Sequence, residues 1–207
     1  MTFCVYLVLM GRGRIAMKIR FVLIALTLIL IDQIIKIIIA SNFMEPHVHI
    51  DWIEGILAFC PTQNIHLSWI PSVLDYMMPV YMAVTLIIIS ILLAIALYRL
   101  ITYCSFNWSR HRYLPGLILL FTLSGASCAF IDVVFWGGSI DYIQLFNWFI
   151  FDLKDVYSSL GSVFVLLYLI AYYKQYYALS KEDRKEYNRK TKLLLWLKAG
   201  LPLKPAL

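Results

Sequence analysis

Four long apolar runs organise the chain. The first, FVLIALTLILIDQIIKIIIA, covers about Phe21 to Ala40; the others cover about Met77 to Tyr98, Leu114 to Phe135 and Val156 to Tyr173. Each approaches the roughly 20 residues that a helix needs to cross about 30 Å of hydrocarbon. Pro79 and Pro115 fall in first turns, where a missing N–H costs little. Between the first two runs, HVHIDWIEGILAF alternates apolar and polar positions, a period of two that predicts a short strand or hairpin. The opening MTFCVYLVLM is too short to span and lacks a signal-peptide cleavage pattern. It reads as an interfacial extension, or the start is Met17, whose Lys18 and Arg20 lead into the first run. The pattern predicts an all-α membrane protein: four transmembrane helices with a small extracytoplasmic β-containing segment between helices one and two. No internal repeat or low-complexity segment interrupts it.

Composition removes the soluble alternative. Hydrophobic residues make up 62% of the 207 positions, charged residues 14%, and mean hydropathy is +0.79. A soluble domain carries roughly 45–50% apolar and about 25% charged residues. Such a chain has too few polar groups to cover a water-facing surface.

The placement of basic residues sets the orientation. Arg12, Arg14, Lys18 and Arg20 precede the first run, and Arg99, Arg110 and Arg112 lie between the second and third. Nine more follow the fourth, beginning with Lys174 and Lys181, while only Lys36 and Lys154 lie elsewhere. Both termini are therefore expected in the cytoplasm of a multi-pass protein of the cell membrane. Residues 1–20 form a cytoplasmic extension, 21–175 the four-span domain and 176–207 a basic cytoplasmic tail. The outer segments, Ser41 to Tyr76 and Gly137 to Lys154, hold six of the twelve acids, against three in the tail, and Trp52, Trp69 and Trp136 suit an outer aromatic belt. The net charge of +6 then needs no nucleic acid, because KEDRKEYNRKTK can lie on an anionic inner leaflet.

Neither a disulfide framework nor a metal site is indicated. Cys4, Cys60, Cys104 and Cys128 fall at four different depths, and no C-x-x-C occurs. His47 and His49 could share one strand face, but a metal needs more ligands, and they read as solvated loop residues. His66 and His111 read as ordinary interface residues.

Ionisable residues inside the spans are the candidates for chemistry, since placing each there is costly. Asp32 and Lys36 stand four apart in the first span, acid before base, the favourable direction for a pair on one face. That spacing serves a structural ion pair as well as a catalytic one. Asp132 falls near the outer end of the third span, and Asp155 opens the fourth at the same level. Two carboxyl groups converging there cannot both ionise cheaply. One serves as base toward a water and the other as acid toward the carbonyl and leaving amine, a chemistry that needs no metal or cofactor. Spacing alone equally allows each Asp to cap a helix end.

Around these residues the chain resembles lipoprotein signal peptidase, the type II signal peptidase of bacteria. That family carries a stretch like GGAxGNxxDR, then G-x-V-x-D-[FY], then FNxADxxI; here the text reads SGASCAFIDVVFWGGSIDYI and FDLKDVYSSLG. The resemblance places Asp132 and Asp155 on the catalytic aspartates. Gly125 falls on the first motif, Gly138, Asp141 and Tyr142 on the connecting element, and Gly161 after the last. IDQIIK matches D-Q-x-x-K with Asp32, Gln33 and Lys36, and Asn64 matches the Asn of N-x-G-x-x-F, with Trp69 in place of Phe. The departures are equally specific. Ala129 and Val133 replace the Asn and Arg flanking the first aspartate, His66 replaces a Gly, and Asp152 and Lys154 replace the Asn and Ala of FNxAD.

The resemblance implies an aspartic endopeptidase that cuts prolipoproteins just before their lipid-modified cysteine. Substrate would enter sideways with its diacylglyceryl group still in lipid, and a monomer is expected. The rival is a degenerate relative that binds signal peptides or acts as a scaffold, motivated by Ala129, Val133 and Lys154. A presenilin-like or prepilin-type protease would show G-x-G-D, which is absent, and a transporter would show polar or broken helices at the midplane. For Lys154 the expected pose points outward, pairing with Asp152 and leaving the two aspartates alone.

Overall fold

The computed structural model describes residues 2–44, 48–66, 77–105 and 113–204, with side chains from Ile19 onward. Among the described residues four helices are long and apolar enough to cross a membrane, and a four-stranded antiparallel sheet caps one end of them. The helices are α1 (Thr2–Asn42), α2 (Val80–Cys104), α3 (Leu114–Ile131) and α4 (Leu153–Ala178). Two short helices, α5 (Lys181–Lys190) and α6 (Leu193–Lys198), form the tail. Each apolar run supplies one span, although α2 and α4 extend beyond the predicted ends. The first span is Ile19–Asn42, and α1 continues N-terminally through the opening residues as one helix.

Helix α3 is the most buried of the spans and packs against the other three. Its approach to α4 depends on small residues. A Cβ at Gly125 would lie 2.5 Å from Ser158 Oγ and 3.1 Å from the Lys154 carbonyl oxygen, and one at Gly161 would lie 2.7 Å from Thr122 Oγ1. Backbones this close gain dispersion contacts that large side chains would prevent, the main drive for helix association where lipid is as apolar as leucine. The outward faces carry exposed Leu23, Leu30, Leu93 and Leu166, as lipid contact requires.

At Asp132 the helical spacing of α3 widens into a π-turn, Asp132–Trp136, closed by Gly137 in the left-handed region (φ 64°). Wide turns of this kind re-aim side chains and are frequent at functional sites. The chain then enters the sheet, whose order is β1 (Ile50–Ile53), β2 (Leu57–Asn64), β3 (Ser139–Leu145) and β4 (Phe149–Phe151). The predicted hairpin is β1–β2. The second hairpin, β3–β4, lies beyond the predicted β segment: in GGSIDYIQLFNWFIF the alternation breaks at Tyr142–Ile143 and the last strand is only three apolar residues. Its turn uses Phe146 and Asn147 at positive φ.

Register across the sheet matters for the site. Asn64 faces Ser139, and Thr62 faces Asp141. Ile39, Ile140 and Tyr142 form a small core, flanked by Phe59, Trp136 and Leu153, that clamps the sheet to the end of α1. Trp136 departs from its expected place in an aromatic belt: it is half-buried, and its indole N–H donates to Gln33 Oε1 at 3.0 Å. Trp52 is exposed, as a belt residue would be; Trp69, His47, Arg110, His111 and Arg112 lie outside the described residues.

Candidate active site

Five carboxyl groups and two ammonium groups meet where α1, α3, β3 and the start of α4 converge. Helical spacing brings Asp32 and Lys36 together on α1, 3.1 Å apart and fully buried. Lys36 then reaches across to Asp132 Oδ2 and Asp152 Oδ2, each at 2.6 Å. This is the deeper cation. Gln33 adds a donor 3.4 Å from Asp132, and its own carbonyl is held by Trp136.

Lys154 is the second cation. It pairs with Asp152 as expected, at 2.7 Å, but the outward pose is not adopted. Its side chain is buried, and the ammonium lies 3.4 Å from Asp141, 3.5 Å from Asp132 and 4.0 Å from Asp155. The physical reason is the surplus of carboxylates: a lysine turned to solvent would leave five acids against Lys36 alone in a low-dielectric setting. Lys154 also donates to Ser139 Oγ. That hydroxyl in turn lies 2.6 Å from Asp141 Oδ1 and within 3.2 Å of Asp152 and Asp132.

The start of α4 is fixed by a capping box. Asp152 accepts from the Asp155 N–H at 3.2 Å, and Asp155 accepts from the Asp152 N–H at 3.4 Å. Burial pushes the Asp152 carboxyl upward, but the ammonium groups of Lys154 and Lys36 outweigh it, holding Asp152 below the usual carboxylate range. Asp152 thus serves as cap and counter-ion at once. Asp155 differs: its side chain is 45% exposed, whereas those of Asp32, Asp132, Asp141 and Asp152 are 5% exposed or less.

Asp141 is gripped from the sheet. Asn64 Nδ2 donates to its Oδ2 at 3.1 Å, while Asn64 Oδ1 accepts from the His66 N–H, which fixes the amide's direction. One oxygen from each of Asp141, Asp152 and Asp155 lies within 4.8 Å of the others. Such spacing could suit a cation, and the Lys154 ammonium supplies positive charge there. Alongside runs a cavity of about 260 Å³ between α2 and α3, with Ala83, Leu86 and Ile87 on its apolar wall and Asp132, Ser139 and Lys154 at its polar end.

Of the residues predicted from sequence, Asp32, Lys36, Asn64, Asp132, Asp141 and Asp155 converge here. Gly125 does not line the cluster; it lets the first turn of α4 approach α3. Sequence reasoning missed Ser139 and the inward Lys154. The available signal was the density of acids between Asp132 and Asp155, far more than a helix cap needs.

Three comparisons bear on this geometry. The family model described as "Signal peptidase (SPase) II" matches residues 24–171. The lipoprotein signal peptidase of Listeria monocytogenes serotype 4a is 30% identical over 151 residues, covering 71% of this chain and 90% of that protein. That of Lactobacillus gasseri is 30% identical over 159 residues, covering 75% and 94%. Two solved structures described as bacterial membrane enzymes, determined by the in meso method at 2.3 and 1.9 Å resolution, share the fold. Their TM-scores are 0.54 and 0.50 at 20% identity, covering 73% and 72% of this chain and 88% and 92% of theirs.

Proposed function

The chain belongs to the signal peptidase II family, and from that premise we propose that it cleaves prolipoproteins immediately before their lipid-modified cysteine by aspartic acid–base catalysis. The observation that carries the chemistry is the proximity of Asp141 and Asp155, both in contact with Lys154, which lines the apolar-walled cavity together with Ser139 and Asp132. Asp155 is the carboxyl that solvent and substrate reach. We assign its partner to Asp141 in preference to Asp132, on which the motif match fell. Both are buried and engaged, Asp132 by Lys36, Gln33 and Ser139 and Asp141 by Asn64, Ser139 and Lys154; what favours Asp141 is an oxygen within 4.8 Å of Asp155.

In this reading one carboxylate of the couple takes a proton from water as the water oxygen attacks the scissile carbonyl carbon. The other carboxyl protonates the carbonyl oxygen, giving a tetrahedral diol. Collapse breaks the C–N bond while a proton passes to the departing nitrogen. The products are the signal peptide's carboxyl terminus and the free α-amino group of the modified cysteine. Lys36 and Lys154 hold the surrounding carboxylates in place and offset their charge. Asn64 and Ser139 aim Asp141.

The Ser139–Lys154 hydrogen bond invites a serine–lysine alternative. It is disfavoured because that lysine must be neutral to act as base, and this one faces four carboxyl groups within 4.0 Å. The distribution of lysine and arginine supports both termini in the cytoplasm and the carboxyl cluster at the outer face of the cell membrane. There a monomer would admit substrate sideways from lipid, and no nucleic acid is involved. Asp141→Asn and Asp155→Asn should each reduce cleavage of a prolipoprotein more than about a hundredfold while the protein still accumulates. Asp132→Asn should cost less. The reverse order would return the assignment to Asp132.

A further inference from the structure

We infer that α6 is a lipid-inserted foot, its leucines in the acyl boundary of the inner leaflet and its flanking lysines on anionic phospholipid headgroups. The inference rests on the membrane orientation proposed above. Five of the six residues of LLLWLK are apolar, yet Leu193, Leu194, Leu195 and Leu197 are 55%, 62%, 48% and 53% exposed. A soluble surface rarely shows so much contiguous leucine without a partner. Trp196 alone turns inward, 4% exposed, with its indole N–H donating to the Pro202 carbonyl at 3.0 Å and its ring against Tyr103. The tryptophan pins the helix and leaves the leucines facing away from the protein.

The tail is docked rather than trailing. Tyr103 donates to the Lys190 carbonyl, Tyr187 to the Cys104 carbonyl at 2.7 Å, and Arg99 Nε to the Leu201 carbonyl at 2.6 Å. Arg99 lies five residues before the end of α2, so this last bond ties residue 201 to the span itself. Residues just after α6 are thereby tied to the membrane-spanning body. Rings of Tyr187 against Tyr172 and Tyr176 add a second attachment, to α4.

Charge names the occupant. From Lys181 to Lys204 the tail carries eight basic and three acidic side chains, a net of +5. Lys190, Lys192, Lys198 and Lys204 bracket the leucines. Apolar side chains beside such a cluster match an interfacial helix on anionic lipid, where each ammonium near the surface adds roughly fivefold in affinity. A second protein would need acidic groups around an apolar seat, and no second copy of this basic tail supplies them.

The test places p-benzoylphenylalanine at Leu194 in the full chain, and separately at the exposed Lys185. The protein is reconstituted in nanodiscs of phosphatidylcholine with or without phosphatidylglycerol, and adducts are identified by mass spectrometry after illumination. A melting curve of each variant verifies folding whether or not the protein cleaves. Lipid adducts at 194 should exceed those at 185 about tenfold, and phosphatidylglycerol should be enriched among them. Lys190→Gln, Lys192→Gln and Lys198→Gln together should lower that enrichment at least about fivefold. Adducts to a second protein copy, lipid adducts no higher at 194 than at 185, or no phosphatidylglycerol preference would overturn the inference. Nanodiscs expose both leaflets, so this readout is independent of which side the tail occupies; external labelling of a cysteine at 185 in cells reports that separately.

Discussion

Replacing Lys154 by alanine removes the ammonium that lies 2.7 Å from Asp152, 3.4 Å from Asp141, 3.5 Å from Asp132 and 4.0 Å from Asp155. Of the cluster's two ammonium groups only Lys36 then remains, paired with Asp32, Asp132 and Asp152. Breaking a buried pair by deleting one partner costs about 3–5 kcal/mol, because the other charge stays behind. Lys154→Ala should therefore lower thermal stability in detergent by on the order of 10 °C. The pH dependence has a defined sign. Asp152 is held below the ordinary carboxylate value, so its contribution to stability is complete above that value and lost as pH falls through the lower, folded-state one. Without Lys154 the loss should begin at a higher pH. Asp152→Asn combined with Lys154→Ala removes one charge of each sign and recreates the Asn and Ala of the family pattern. The double variant should recover most of the stability and activity, with a coupling energy of at least about 2 kcal/mol in the cycle. Melting curves of the four proteins between about pH 2 and 7, a range that brackets the carboxylate titration, together with their cleavage rates, supply the measurement. Additive losses, or a Lys154→Ala protein as stable as the parent, would refute the reasoning.

Further outcomes follow from the same contacts. Ser139→Ala should retain measurable cleavage, reduced about tenfold as Asp141 loses one donor, whereas a serine nucleophile would leave none. Asn64→Ala should lower kcat by a similar factor with little change in KM, read from initial rates, since Asn64 touches Asp141 and not the cavity wall. Gly125→Leu should destabilise the α3–α4 contact by about 1–3 kcal/mol or more, seen in melting, because its Cβ would meet Ser158 and the Lys154 carbonyl. Membrane-impermeant thiol reagent should label a cysteine introduced at Asp51 or Trp148 in intact cells, but not one at Lys185.

Much of this architecture is legible in the sequence because bilayers impose simple rules. Span length has one physical reading, and the Asp32–Lys36 spacing puts both side chains on one helix face whatever role they play. The β1–β2 hairpin shows through its alternation. The β3–β4 hairpin does not, because Ser139 and Asp141 on β3 turn into the buried cluster instead of solvent, and its last strand has only three residues before the α4 cap. Side-chain direction was the other illegible feature. Lys154 follows an acid by two positions, which suggested an outward pair, and only the convergence of Asp132 and Asp141 from other elements explains why it turns in. The competition between Asp132 and Asp141 has the same root: motif position favours one, and distance to Asp155 favours the other.

The central claim is tested most directly by identifying the bond that is cut. Purified protein in lipid should be given a diacylglyceryl-modified prolipoprotein and, in parallel, the same precursor without the modification, and the products sequenced by mass spectrometry. The account predicts a lipidated product beginning at the modified cysteine, little cleavage of the unmodified precursor, and no product from the Asp155→Asn protein. Cleavage at another bond, indifference to the lipid, or undiminished product from Asp155→Asn would contradict it.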